Sequence, residues 1–150
     1  MDISQIPNVH SPDFPNTSVL KWTPDGPAVL AHMDRATVTT YTSYLAYTHA
    51  HGTHVDRLGE PSGKYFWQLP DQGTPFTLEQ RALDIYAVHD PYYQYRILTL
   101  PTGFSIRTGI NIPHFSFPGG ARQVQFLAGK YVLTANECLQ LGILEGKGKN

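Results

Sequence analysis

The sequence predicts an α+β fold: a small single domain of mainly antiparallel, twisted β-sheet, with short helices at its margins and a proline-rich N-terminal arm. Three observations predict it. Runs of β-branched and aromatic residues, residues 92–100 above all, recur between turn residues. Two sequences with capping-box spacing, Thr77-Leu78-Glu79-Gln80 and Thr134-Ala135-Asn136-Glu137, introduce short helices. Pro7, Pro12, Pro15, Pro24 and Pro27 crowd the N-terminal stretch too closely for regular structure. The 150 residues fit one compact domain. The expected division is an extended arm over 1–35 and a single domain over 36–150.

The elements follow in order. In residues 36–47, Val38, Tyr41, Tyr44 and Leu45 fit one helix face, against a β-branched content that suits strand; the reading taken is helix. Gly52, Gly59, Pro61 and Gly63 make residues 52–64 a loop-rich passage. Residues 64–69 read as a short strand, followed by a turn at Gln72-Gly73-Thr74-Pro75. The first capping sequence opens a short helix carrying Arg81, Ala82 and Leu83. Residues 92–100, 104–107 and 124–127 read as strands, and residues 130–133 close the sheet. The second capping sequence opens a helix that ends at Gly142, a good residue for a left-handed cap.

Composition excludes several functions. At 41% hydrophobic, with nine Tyr, seven Phe and two Trp, the chain can build a core without disulfides. Lys+Arg of 11 against Asp+Glu of 12 gives a net charge of −1. Nucleic acid as the main partner wants a basic surplus, whereas a small phosphate-bearing ligand needs only a few local cations. No apolar run approaches the ~20 residues of a membrane-spanning helix. The chain opens without the basic start and apolar core of a secretory signal peptide. Cys138 is the single cysteine, so no intramolecular disulfide forms, and it reads as a small buried hydrophobe at a helix start.

Two stretches could carry chemistry. His49-Ala50-His51-Gly52-Thr53-His54-Val55-Asp56 gathers three histidines and a carboxylate, a ligand set that suits zinc or manganese. Its hexapeptide His51 to Asp56 resembles part of the metal-binding signature of the cyclase family that includes kynurenine formamidases. Ala50, Leu58 and Glu60 stand where that signature has its upstream histidine, its proline and its downstream histidine. The match covers six residues, and loop histidines without a metal are the plainer reading.

The second stretch is longer. Asp56-Arg57-Leu58-Gly59 leads to Gly63-Lys64-Tyr65-Phe66, Gly73-Thr74-Pro75-Phe76 and Gln80-Arg81-Ala82-Leu83. Tyr92-Tyr93-Gln94-Tyr95-Arg96-Ile97-Leu98 and Gly109-Ile110-Asn111-Ile112-Pro113 follow. Then come Phe115-Ser116-Phe117-Pro118-Gly119-Gly120-Ala121-Arg122-Gln123 and Leu141-Gly142-Ile143-Leu144-Glu145. In this order and spacing the blocks resemble the TNT family over about residues 55–145. These are NAD+ glycohydrolase domains of the tuberculosis necrotizing toxin type, shared with fungal surface NADases.

The resemblance implies cleavage of NAD+, and of NADP+, to nicotinamide and ADP-ribose, by a toxin or a secreted or surface enzyme. It implies that Gln123 and Arg57 are catalytic, with Arg57 and Arg81 holding the dinucleotide. Tyr65 would form the aromatic wall of the nicotinamide end, and Leu58, Tyr93 and Phe115 would line the same site. A toxin of this kind implies an antitoxin or immunity protein as partner and delivery out of the producing cell. NAD+ is then a substrate and no cofactor is required; fungal relatives bind a remote calcium, for which no acidic site is matched here. The chemistry agrees. Arginine's planar fork grips phosphate oxygens in pairs, and an aromatic face attracts the nicotinamide cation. Nicotinamide leaves as a neutral molecule, so the paired carboxylates of ordinary glycoside hydrolysis are not required.

The chain departs from the family at three places. Ala121 replaces a third glycine, Leu58 a frequent aromatic, and Tyr93 a histidine of some members. A tyrosine is no base near neutral pH. Three alternatives stay open: ADP-ribosyl transfer, a non-catalytic NAD-binding module, and the metal-dependent hydrolase of the histidine cluster.

Overall fold

The computed structural model describes residues 22–23, 26–27 and 29–146. Its frame is an eight-stranded sheet in which every pairing is antiparallel. Two short pairs come first: β1 (Trp22–Thr23) with β2 (Gly26–Pro27), and β3 (Val29–Leu30) with β4 (Met33–Asp34). Then come a 3-10 turn (Arg35–Thr37), β5 (Thr39–Tyr41), α1 (Tyr44–His51), β6 (His54–Leu58), β7 (Phe66–Leu69) and α2 (Leu78–Arg81). A second 3-10 turn (Ile85–His89) precedes β8 (Tyr92–Ile97), β9 (Phe104–Ile110), β10 (Arg122–Ala128), β11 (Tyr131–Val132), α3 (Ala135–Gln140) and β12 (Leu144–Gly146). The spatial order is β12-β8-β6-β7-β10-β9-β5, with β11 following β7 along one edge of β10.

Both capping boxes form. Thr77 and Thr134 accept from the backbone N–H of Gln80 and Glu137, whose side chains reach back to the N-cap N–H. Each cap contributes about 1 kcal/mol to a helix too short to persist alone. Gly142, at φ +73°, ends α3 as expected.

The core lies on one face of the sheet. Val55, Phe66, Tyr95, Ile97, Ile106, Val124 and Phe126 point to it, and α3 covers them with Ala135 and Cys138. Phe66 stands edge-on to Phe126 at 5.2 Å and to Tyr95 at 5.7 Å. Burying each such aromatic contributes roughly 1.5–3 kcal/mol. Cys138 is fully buried, and burial pushes its thiol up to about 12, which keeps it protonated and inert.

Two expectations need correction. The helix read over 36–47 begins only at Tyr44. Thr39 and Thr40 instead pair with Thr108 and Arg107 as the β5 edge strand, where β-branched residues fit the pleat. Ser43 then caps α1 by accepting from Ala46 N–H at 3.2 Å. The passage 52–64 contains the strand β6, hydrogen-bonded on both sides. Its polar residues hid it, because Asp56 is buried against a partner rather than exposed.

The expected arm lies outside the described residues except for its last part. There, Met33 of β4 is fully buried and bridges Asn111. His32 C=O accepts from Ile112 N–H at 2.9 Å.

Candidate functional site

Alternate residues of a strand face opposite sides of a sheet. Those between the core residues therefore assemble a second face, and it is polar. The register places Gln94 beside Asp56, Asp56 beside Trp67, Trp67 beside Gln123, and Gln123 beside Gly109. This row crosses five strands. Asp56, Arg81, Asn111 and Gln123 on this side are all buried polar groups. Such groups are costly unless bonded, so their bonds define the site.

Trp67 Nε1 donates to Asn111 Oδ1 at 2.7 Å, and Asn111 Nδ2 donates to Gln123 Oε1 at 2.8 Å. An indole N–H can only donate. Asn111 must therefore turn its oxygen to Trp67 and its amide nitrogen to Gln123. Gln123 in turn presents its oxygen to Asn111, and its Nε2 has no hydrogen-bond partner although Gln123 is 2% exposed. The result is a fixed donor with no protein acceptor.

Asp56 anchors the other half of the row. Arg81 Nη1 and Nη2 donate to its two oxygens at 2.6 and 2.8 Å, and Tyr92 Oη donates to Oδ2 at 2.7 Å. Arg81 Nε donates to Phe76 C=O at 3.0 Å, and the guanidinium lies 5.1 Å from the Trp67 ring. Burial, with the bond to Asp56, pushes the Tyr92 hydroxyl up to about 12. It therefore stays protonated and keeps donating.

Helix α2 ends on this pair and holds the glycine run through its last carbonyls. Gly119 N–H donates to Glu79 C=O at 3.2 Å and Ala121 N–H to Gln80 C=O at 3.0 Å. A Cβ on Gly119, at φ +72°, would lie 2.6 Å from the carbonyl oxygens of Asn111 and Ile112. Gly120, at φ +104°, is exposed with open space where a Cβ would stand. Ala121 is fully buried.

The residues marked by the sequence fall into two groups. Gln123 and Arg81 share the polar face and are linked through Trp67. Leu58 lies two residues along β6 from Asp56 on that face, and Tyr65, which precedes β7, is 37% exposed. Arg57 and Tyr93 are cross-strand partners pointing to the opposite side. Arg57 Nε donates to Glu60 C=O at 2.7 Å and Nη1 to Tyr65 C=O at 2.8 Å. A Cβ on Gly63 would lie 1.7 Å from Arg57 Nη2, so glycine makes room for the guanidinium. Arg57 thus clamps the loop that presents Tyr65. Phe115, at φ +53°, packs its ring 4.0 Å from His114 in a turn closed by paired His114 and Phe117 backbone bonds.

The histidine cluster is dispersed. His51 Nε2 shares a hydrogen bond with Tyr41 Oη at 3.2 Å, His54 Nδ1 meets Asp71 Oδ1 at 3.0 Å, and Asp56 belongs to Arg81. Among the described residues no three His, Cys, Asp or Glu side chains converge to hold a metal ion.

Comparison with known proteins identifies the family and the fold. The family model described as tuberculosis necrotizing toxin matches residues 48–146, about two thirds of the chain. The chain belongs to the tuberculosis necrotizing toxin family. Curated relatives are the outer membrane channel protein CpnT of Mycobacterium tuberculosis (strain ATCC 25618 / H37Rv) and of Mycobacterium bovis (strain BCG / Pasteur 1173P2). Each is 36% identical over 85 residues, which are 57% of this chain and 10% of the relative. The chain thus spans about a tenth of the length of those relatives. The solved structure of tuberculosis necrotizing toxin, complexed with its immunity factor, shares the fold. It superposes with a TM-score of 0.72 at 24% identity, covering 95% of this chain and 80% of that one.

In this member of the tuberculosis necrotizing toxin family, sequence reasoning passed over Asn111, Trp67 and the Asp56–Arg81–Tyr92 link as parts of the site. One signal was present: Asn111 stands between Ile110 and Ile112, and Gln123 and Gln125 alternate with Val124 and Phe126. Polar residues alternating with core residues mark the second face of a sheet.

Proposed function

We propose that the chain is an NAD+ glycohydrolase that also accepts NADP+. The observation that carries this is the Gln123 amide: buried, oriented by Asn111, and left with an N–H pair that no protein group accepts. A donor held this way is prepaid in orientation and suits an oxygen of the nicotinamide riboside, either the carboxamide oxygen or a ribose hydroxyl. Membership of a toxin family whose resemblance implies this activity supports the reading.

The reaction balances simply. The bond between the ribose C1′ and the nicotinamide nitrogen breaks, and its electron pair leaves with nicotinamide, which becomes neutral. Water adds at C1′ of the oxocarbenium-like centre and loses one proton to solvent. No group must protonate the leaving nitrogen, so a site of neutral amides is chemically sufficient. Tyr65 would face the nicotinamide cation. A cognate immunity protein as partner and delivery as an effector belong to the same reading, in keeping with the complex formed by the solved relative.

The test is nicotinamide release from NAD+ by the full chain, with and without EDTA, beside Gln123→Ala. Release that resists EDTA and collapses in the variant is the expected result. NAD+ binding without release would replace the enzyme with a binding module.

A further inference from the structure

The cations that the sequence marked for the dinucleotide are committed elsewhere. Arg81 spends three donors on Asp56 and Phe76. Arg57 lies on the other side of the sheet and spends Nε and Nη1 on loop carbonyls. The Gln123 face carries a further arginine, Arg107, and Arg35 lies near enough for its charge to act on it; neither is committed to a carboxylate. Arg107 sits on β9 beside Gln125 and donates to Gln125 Oε1 from Nε at 2.9 Å and Nη2 at 2.6 Å. Arg35 opens the 3-10 turn that packs across β9. Thr37 Oγ1 of that turn accepts from Ile110 N–H at 2.9 Å, and Thr40 just beyond pairs with Arg107.

We infer that Arg35 and Arg107 form the anion-binding end of the site and take the pyrophosphate of the dinucleotide, one ribose away from the group that Gln123 holds. This rests on the glycohydrolase reading above. Four observations support it. The ion pairs among the described residues are His54–Asp71, Arg81–Asp56 and Arg96–Glu145, so neither Arg35 nor Arg107 has a carboxylate. Gln125 is fully buried, and with its oxygen spent on Arg107 its Nε2 is left without a partner. Gln123 and Gln125 are two residues apart on one face of β10, about 7 Å along the strand. That separation suits a ribose bridging a base-bearing carbon and its 5′-phosphate. Finally, burial lowers the Arg107 pKa, with nearby Tyr65 raising it and the Arg35 charge lowering it. Two neighbouring guanidiniums repel until an anion lies between them, and their planar forks suit the paired oxygens of a pyrophosphate.

The experiment is calorimetric titration of the full chain with inorganic pyrophosphate and with ADP-ribose, together with NAD+ kinetics. The variants are Arg35→Gln, Arg107→Gln and, as a control three strands away from Gln123 and paired with Glu145, Arg96→Gln. Each of the first two should weaken both ligands at least tenfold and raise KM for NAD+ more than it lowers kcat. Arg96→Gln should change neither by more than twofold. Unchanged affinity in Arg35→Gln overturns the assignment, as does a wild-type protein that binds neither ligand. If Arg107→Gln fails to fold because Gln125 loses its partner, Arg35→Gln decides, since among the described residues the Arg35 side chain is in no ion pair. Pyrophosphate binding that the variants lose, in a protein that does not hydrolyse NAD+, would keep the anion site and remove the glycohydrolase reading. Hydrolysis with unaltered KM in both variants would do the reverse.

Discussion

Asn111 holds Gln123 by a single hydrogen bond, Nδ2 to Oε1 at 2.8 Å, and Trp67 decides which way Asn111 faces. The three side chains come from β7, the end of β9 and β10. Their order, indole to amide to amide, converts a donor-only ring into a donor aimed away from it.

Asn111→Ala is expected to leave the Trp67 N–H and the Gln123 oxygen unsatisfied. The cost should be about 1–3 kcal/mol for each buried group stranded. Urea denaturation measures it. Turnover of NAD+ at saturating substrate should fall at least tenfold, because Gln123 loses its orientation. An unaltered kcat would mean that Asn111 is only packing.

Gln123→Ala and Arg57→Ala should behave differently. Gln123→Ala should lower kcat on the order of 10²-fold, the scale for one preorganised donor, with a smaller loss of stability. Arg57→Ala should lower Tm and NAD+ use together, since the guanidinium ties residues 57–65 through Glu60 and Tyr65. Activity lost at constant Tm in Arg57→Ala would place that guanidinium on the substrate instead.

Asp56→Ala strands a buried guanidinium and removes the acceptor of the Tyr92 hydroxyl. Removing one partner of a buried pair costs about 3–5 kcal/mol, a large share of the roughly 5–15 kcal/mol that holds an ordinary domain together. Equilibrium denaturation beside wild type gives the number. A loss under 1 kcal/mol would show that solvent reaches the pair.

His51 sets a pH dependence. Burial and then the Arg122 charge lower its pKa below the ordinary 6.5. In that window the unfolded chain binds the proton more readily than the folded one. Stability therefore falls as pH drops from neutrality through that value and levels off below the folded pKa. His51→Gln should flatten this part of a Tm-against-pH curve. An equal slope in both proteins would remove His51 as its source.

Gly119→Ala combines a left-handed backbone with a Cβ 2.6 Å from two carbonyl oxygens. It should destabilise by more than 1 kcal/mol, whereas Gly120→Ala meets no atoms and should cost about 1 kcal/mol of backbone strain alone. Melting temperatures of the two variants make the comparison.

Much of this was legible in the chain. Strands β8, β9 and β10 and both capped helices announce themselves by alternation and capping chemistry. Strand β6 does not, because its alternation places His54, Asp56 and Leu58 on a face that is polar yet covered. Local pattern cannot separate a buried carboxylate from a solvated one; only Arg81, 25 residues on, makes the difference. Gln123 was marked only because its glycine run resembles the family's, and the structure shows it buried beside Asn111. Asn111 was not marked, since an isolated Asn between isoleucines gains meaning only when β9 lies against β10. Likewise the side on which Arg57 falls depends on strand parity, which a passage read as loop conceals.

Helix α2 spans four residues, far below the length at which a helix persists in water. It exists because Arg81 is seated on Asp56 and because Glu79 and Gln80 receive the amides of Gly119 and Ala121. Those two amides should then exchange with solvent deuterium only when α2 lets go of the glycine run. Their exchange rates report, without any substrate, how often the molecule exists in a state that has kept its sheet but dismantled its site.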